Sequence, residues 1–593
     1  GYKAGYQTTG SYNTFVGSHA GYGGTTPAPY SSGIRNVAIG YQALTGFTTG
    51  NNSTAIGYQA AYSLTSGAAN IAIGYQAGYS NLVSNNNIYI GYHAGYSQLG
   101  TSYYGDNIFI GYRAGFSTTD SGFQRNTIIG YQAGDSKNMA LNTIVGWNSG
   151  RYAGSKNVLM GYYAGMGSSS STHSQTVIIG VGAGQNIGTQ QDLVAVGYEA
   201  AKTGGSQRGV YIGNSAGYSE NGGYNYNVSV GYFSGYSNVT GANITYLGGF
   251  AGRYATGGSN TYIGYSAGEG VNGSSTGTEN TGVGAEALES ITTGATNVGV
   301  GYRSGDGVTS GYQNTLVGAY SGYLLGKGIE STIIGYNAGY YATGSKNTFV
   351  GKDAGKGGQT SAPYSSGQNN TAVGYDALGD FTTGGGNTVI GYRAAYRLTT
   401  GGNNVAIGNT ALGANDVTGG SNVAILDSLW NLVDGNYNIA IGKNALARVT
   451  SGNENVAIGY ESQYWNGHIA NGTGNTTIGG RAGRYTYGNN NTFLGKNAGQ
   501  GNNSLKSPGT NNVAMGYASL NSYISASYNV AIGQNALYNN QHGEYSVAIG
   551  FGAGDHATGS YNTFVGGKAG EGGQTSAPYS SGEGNTAVGY GAL

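Results

Sequence analysis

Six histidines are the first candidates for ligand or acid–base work: His19, His93, His173, His468, His542 and His556. They lie far apart, and none has a cysteine or carboxylate partner at metal-ligand spacing. The 24 acidic residues are equally dispersed, whereas glycoside chemistry needs two carboxylates converging within several ångströms. Serine is abundant, yet no Gly-x-Ser-x-Gly elbow sits between a strand and a helix. Glycine-rich stretches lack the Lys-Ser/Thr and the helix that complete a phosphate loop. The calcium nonapeptide Gly-Gly-x-Gly-x-Asp does not recur. With no cysteine there is no disulfide, thiolate metal site or thiol nucleophile. The residue types therefore indicate no catalytic centre, no cofactor and no metal, and the chain reads as a non-enzyme.

What the sequence does position, again and again, is one short stretch. Residues 36–44 read Asn-Val-Ala-Ile-Gly-Tyr-Gln-Ala-Leu, and residues 70–78 read Asn-Ile-Ala-Ile-Gly-Tyr-Gln-Ala-Gly. Aligned on the central glycine as position zero, 33 copies run from Asn13 to Asn585, spaced 15 to 23 residues apart, most often 17. Positions −3 and −1 are β-branched or aliphatic, as in Val37 and Ile39, which is the alternation of a short half-buried strand. This pattern predicts that −3 and −1 point into a core. Ala43 at +3 lets the chain return close over a thin interior, and Gly40 supplies a turn conformation closed to most residues. Position −4 is Asn in 26 of the 33 copies, so stacking would line up Asn36 and its counterparts as a hydrogen-bonded ladder. Position +1 is Tyr in 17 of the 33, and the column headed by Tyr41 either packs between subunits or faces solvent. The predicted fold is all-β: a parallel β-solenoid, or β-roll, of about 33 short coils. It forms one continuous array over residues 1–593, on the order of 155 Å long at ~4.8 Å per coil.

The repeat is interrupted in a few places. Three 23-residue spacings carry Pro-Tyr loops: Pro27, Pro29 and Tyr30; Pro363 and Tyr364; Pro578 and Tyr579. Insertions in solenoids map to loops on a face that often binds, although duplication of a tolerated loop explains them more simply. At Leu426 the glycine is missing and Trp430 follows, with Trp465 two coils on. These apolar residues suit a packing or subunit contact better than a ligand pocket.

Composition narrows the function classes. Gly is 118 of 593 residues and Tyr 55, only 8% are charged, and the net charge is zero. A neutral chain without a basic run offers no field for nucleic acid. No apolar stretch approaches the 18 residues of a membrane-spanning helix, so no membrane insertion is expected in this section. Both ends fall inside a repeat, which leads to the expectation of a section from a longer chain.

The motif Asn-x-Ala-Ile-Gly, at Asn36–Gly40, Asn404–Gly408 and Asn455–Gly459, resembles the head repeats of YadA-like trimeric autotransporter adhesins. It also resembles related repeats of bacterial and phage tail-fibre-type proteins, and the likeness runs over essentially the whole chain. Coils of 17 residues and a Tyr after the glycine depart from the head pattern. The resemblance implies a left-handed β-roll that is homotrimeric, extracellular and adhesive. Small cores rarely offset chain entropy alone, which separately favours lateral assembly, so a homo-oligomer is expected, either the trimer that the resemblance implies or a filament. The expected role is that of an extracellular, cell-surface structural fibre or adhesin. Its repetitive surface would meet a glycan or matrix ligand, or drive filament assembly. The alternatives are a phage or virion tail-fibre shaft recognising host glycans, and a surface- or ice-binding solenoid with flat Thr ladders, against which irregular loop lengths count.

Overall fold

The computed structural model describes residues 1–593 except 25–29, 98–104, 118–123, 137–138, 170–171, 221–222, 224, 359–363, 414, 465–471, 503–506 and 574–579. Among the described residues every regular element is a three-residue strand, 33 in all, from Thr14–Val16 to Thr586–Val588. The chain is a parallel β-solenoid with one strand per copy of the repeat. It divides into two units, Gly1–Thr296 and Asn297–Leu593. Within each, consecutive strands pair in parallel and in identical register, as Val37, Ala38 and Ile39 pair with Thr54, Ala55 and Ile56.

Hydrogen bonding between coils continues well beyond the strands. Val37 N donates to Ser53 O (2.9 Å), Leu44 N to Ala60 O (2.9 Å) and Thr48 N to Thr65 O (2.7 Å), all towards the following coil. Gly40 N donates back to Val16 O (2.7 Å) and Asn52 N to Ile34 O (3.0 Å). The backbone is thus satisfied around the perimeter, as a stack of single coils requires. This geometry repeatedly needs left-handed backbone at −5, +2 and +4: Arg35, Gln42 and Leu44 have φ of +59°, +52° and +52°.

The strand orientation is the reverse of the sequence expectation. The middle residue, −2, is buried, while −3 and −1 face outward: Ala38 is fully buried, and Ile39 is 37% exposed. Ile39 therefore does not build the core. Three-residue strands have two outward positions and one inward, and here the β-branched residues occupy the outward pair. Ala43 at +3 is fully buried, as expected, and loop residues such as Phe47 and Leu64 complete the interior.

In many coils −2 and +4 trade core volume, although Ala72 with Gly78 and Gly299 with Gly305 leave both small. Where −2 is aromatic, as at Tyr89 or Phe109, +4 is glycine (Gly95, Gly115), and an added Cβ would strike the ring. Where −2 is Ala or Gly, +4 can be Leu, as in Ala38 with Leu44 and Gly282 with Leu288. Close packing enforces this exchange, since an added or missing methylene is felt in a dense core.

The asparagine column is buried and ties the coils together. Asn36 Oδ1 accepts from Ser53 N (2.9 Å), and Asn36 Nδ2 donates to Gly50 O (2.8 Å) at the far end of its own coil. The same arrangement recurs at Asn387, which donates to Gly401 O (3.1 Å) and accepts from Asn404 N (2.8 Å).

The volume trade yields a prediction. Ala38→Phe alone should overpack against Leu44, costing about 1–3 kcal/mol. Leu44→Gly alone should leave a cavity costing about 2–4 kcal/mol. Combined, the two should recover at least about 1 kcal/mol relative to their sum in a denaturation double-mutant cycle. Strict additivity would disprove the exchange.

Candidate functional site

Among the described residues the carboxylates of Glu286, Glu289 and Asp306 converge, their oxygens within 4.8 Å of one another, which corrects the expectation that acidic residues are dispersed; elsewhere columns of like residues organise the surface. The outward strand face is a ladder of aliphatic side chains. Position −1 is Ile, Val, Leu or Met in every copy, and about 40% of the surface of Met160, Ile212, Ile390 and Ile478 remains exposed. Val158, Val177 and Ile439 at −3 are exposed to a similar degree. Contiguous exposed apolar surface of this kind is unusual on a monomer.

Beyond the glycine turn runs an aromatic ridge. Tyr41, Tyr58, Tyr75, Tyr92, Tyr112, Tyr131 and Trp147 form one stack with centroid separations of 5.3, 5.0, 5.0, 5.3, 4.8 and 3.9 Å. Tyr62, Tyr79, Tyr96 and Phe116 at +5 form a second, with separations of 5.0, 5.1 and 5.3 Å. A polar row lies at +2 in the same coils. Gln59 Nε2 donates to Gln42 Oε1 and Gln76 Nε2 to Gln59 Oε1, both at 2.7 Å, and His93 Nε2 donates to Gln76 Oε1 at 2.8 Å. Burial, then the nearby Arg113, pushes the His93 pKa down. Burial, then the phenols of Tyr62 and Tyr96, raises that of Tyr79. The rings spend their faces on one another, so edges and hydroxyls meet solvent. A ligand that stacks on a ring face can do so only where a column ends.

Among the described residues, those singled out from sequence form no common site. Asn36 and Ala43 are buried, and Tyr41 stands half-exposed on the ridge. Pro27, Pro29, Pro363, Pro578, Tyr579 and Trp465 lie outside the described residues. Tyr30 is exposed, and Tyr364 stacks 6.1 Å from Tyr341. The Pro-Tyr loops are anchored by a serine: Ser31 Oγ accepts from Gly24 N (2.9 Å), Ser365 Oγ from Gly358 N (2.9 Å), and Ser580 Oγ from Gly573 N (3.2 Å). Leu426 and Trp430 are both exposed. Their coil is one residue short in the turn. Asp427 takes the +1 place, accepting from Asn444 N (2.8 Å), and Ser428 the +3 place, accepting from Leu412 N (3.0 Å).

Two buried ionisable groups stand in the interior: Glu220, which the sequence did not single out, and His173, one of the six candidate histidines. Where Gly209 replaces the ladder asparagine, Tyr211 OH pairs with Ser206 Oγ (2.7 Å), and Glu220 receives the amides of Asn227 and Asn238. Burial raises the Glu220 pKa to about 7, the amide and hydroxyl bonds only partly opposing it. His173 bonds Gly165 O through Nε2 (2.9 Å), and burial lowers its pKa to about 4. The missing asparagine was visible in the sequence; the carboxyl that fills its place comes from a loop, and nothing local marked it.

No protein-family model matches the chain, and no curated protein matches it.

The buried carboxyl sets a pH dependence. Glu220 is neutral in both folded and unfolded chains below about pH 4.5 and costs nothing there. As pH rises through 7, the unfolded form ionises first, so stability falls by on the order of 3 kcal/mol. His173 acts oppositely, contributing stability above about 6.5 that is lost as pH falls towards 4. Glu220→Gln should raise the melting temperature of the protein at pH 8 and leave it nearly unchanged at pH 4.5. An equal shift at both values would refute the assignment.

Proposed function

We propose that the chain is part of an extracellular fibre that assembles with copies of itself and attaches through a repetitive, non-catalytic surface. The observation that carries this reading is the aliphatic ladder at −3 and −1. Covering the exposed remainder of one such side chain contributes roughly 1 kcal/mol. Ten or more coils in register therefore outweigh the ~4–15 kcal/mol lost on association. A second copy suits the ladder best, because only another stack with the same coil spacing presents side chains at matching intervals along its length. A homo-oligomer, trimeric or filamentous, follows.

Attachment falls to what stays outside such an assembly: the tyrosine ridges, the Pro-Tyr loops and the turn surfaces. A glycan or matrix ligand at a cell surface fits this set of hydroxyls, amides and ring edges. The resemblance to adhesin-head and tail-fibre repeats agrees with a mechanical, attaching role. An ice-binding face is less favoured, because −1 is aliphatic in every copy and Thr recurs only at some −3 positions.

Sedimentation of the full chain tests the assembly. The wild type should sediment as a multimer. Ile39→Lys, Ile56→Lys and Ile73→Lys together should leave the circular dichroism spectrum unchanged and weaken association at least tenfold. A folded wild type that stays monomeric at micromolar concentration would overturn the proposal.

A further inference from the structure

After four consecutive aromatic turns of the first unit the +5 column gives way to charge. Tyr62, Tyr79, Tyr96 and Phe116 stack in succession, but the next two +5 residues are Asp135 and Arg151. A cleft of about 450 Å³ opens there, lined by Arg113, Asp135, Ser136, Arg151, Tyr152 and Thr172 among others. Its volume lies within the ~300–1,000 Å³ usual for small-molecule sites.

The polar groups of this cleft are incompletely used within the protein. The Asp135 side chain is 8% exposed, and its Oδ2 lies 3.9 Å from Arg113. Its Oδ1 is buried without a hydrogen-bond partner, as are Nε of Arg113 and Nε of Arg151. The Arg113 guanidinium lies 3.8 Å over Phe116, and that of Arg151 5.4 Å over Tyr152. Among the described residues no carboxylate pairs with Arg151. Leaving such groups buried and unmatched is unfavourable, and a ligand carrying the complementary atoms would recover that cost.

From these groups we infer that the cleft binds an acidic sugar residue, a uronate, within a surface glycan. The cleft carries two guanidinium groups and one carboxylate, a net charge of one positive. That balance favours a singly charged anion and opposes a multiply charged phosphate. Arg151 matches a planar carboxylate through its forked N–H groups. Asp135 Oδ1 accepts from a ring hydroxyl, the hydroxyls of Ser136 and Thr172 serve the remaining sugar oxygens, and Tyr152 offers an apolar flank. The inference rests on the attachment reading above and specifies its ligand.

Calorimetric titration of the full chain with trigalacturonate, its neutral trigalactose counterpart and a sulfated galactose trisaccharide is the test. Trigalacturonate should bind, and the neutral sugar at least tenfold more weakly. Arg151→Gln should weaken trigalacturonate at least tenfold and Arg151→Lys several-fold, while Arg397→Gln in the second unit should change nothing. Absence of trigalacturonate binding, equal binding of the neutral sugar, stronger binding of the sulfated one, or indifference to Arg151→Gln would each overturn the inference. Sedimentation of the same samples separates the two failures: an assembled fibre that binds no uronate refutes this site alone, whereas a monomer refutes the fibre.

Discussion

The glycine at position zero lies where one coil approaches the next most closely, and the rest of the coil is arranged around that approach. Gly57 has φ +140°, and a Cβ on it would overlap the backbone of Gly74; Gly74, at +136°, stands in the same relation to Gly91. The hydrogen bond from Gly57 N to Ile39 O, at 2.8 Å, fixes the separation. Neither a side chain nor a wider gap is compatible with it. Turn geometry is therefore nearly invariant, and variation in repeat length is displaced into the loops opposite. Leu426 survives at this position by taking φ +67° in a turn shortened by one residue, which removes the need for the glycine-only conformation.

Once coils are held at one spacing, every position becomes a column, and each residue type is judged by how it stacks on its own kind. Asparagine does so well, because its side chain offers both a donor and an acceptor. Tyrosine does so by covering ring faces, glutamine by chaining amides. Charge stacks badly, since like charges in adjacent strands repel. Opposite charges pair in parts of the +2 column, where Arg393 Nε lies 3.3 Å from Asp376 Oδ2 and Arg481 Nε 3.2 Å from Glu461 Oε2, while the like-charged Asp353 on the coil before Asp376 helps raise its pKa, after burial. The sparse charge of the chain, 8% of residues, follows from the same geometry.

The period, the parallel stacking and the structural parts played by Asn36, Gly40 and Ala43 were legible because each rests on a residue type that few others can replace. Orientation was misread for a definable reason. Val37 and Ile39 have the chemistry of a core and Ala38 that of a filler, yet the inner position is −2, where residues range from Gly282 to Phe109. A reader of one copy sees small-in-the-middle and infers an outward alanine. Comparison across copies exposes the truth, since only a packed position needs its volume balanced by another, as Leu44 and Gly95 do at +4. The left-handed backbone at Gln42 and Arg35 left no trace, because residue types usually found at positive φ were not required there. For the same reason the cleft beside Asp135 was invisible: its members sit on successive coils, and no spacing in one repeat connects them.

A stack of near-identical coils can support affinity spread along its length but has little means of local discrimination, since any contact made on one coil recurs on the next. Discrimination therefore belongs to places where a column changes identity. At Gly209 the asparagine column breaks and the interior gains the carboxyl of Glu220, making a local pH response. At Asp135 and Arg151 the +5 column passes from rings to ions, and buried polar atoms remain unmatched by protein. At Leu426 the turn contracts and an apolar side chain is pushed outward. These breaks tolerate unusual chemistry because neighbouring coils hold the backbone through their own hydrogen bonds, so each costs only local stability. The repeat gives cohesion, and on the proposed reading selectivity arises at its exceptions.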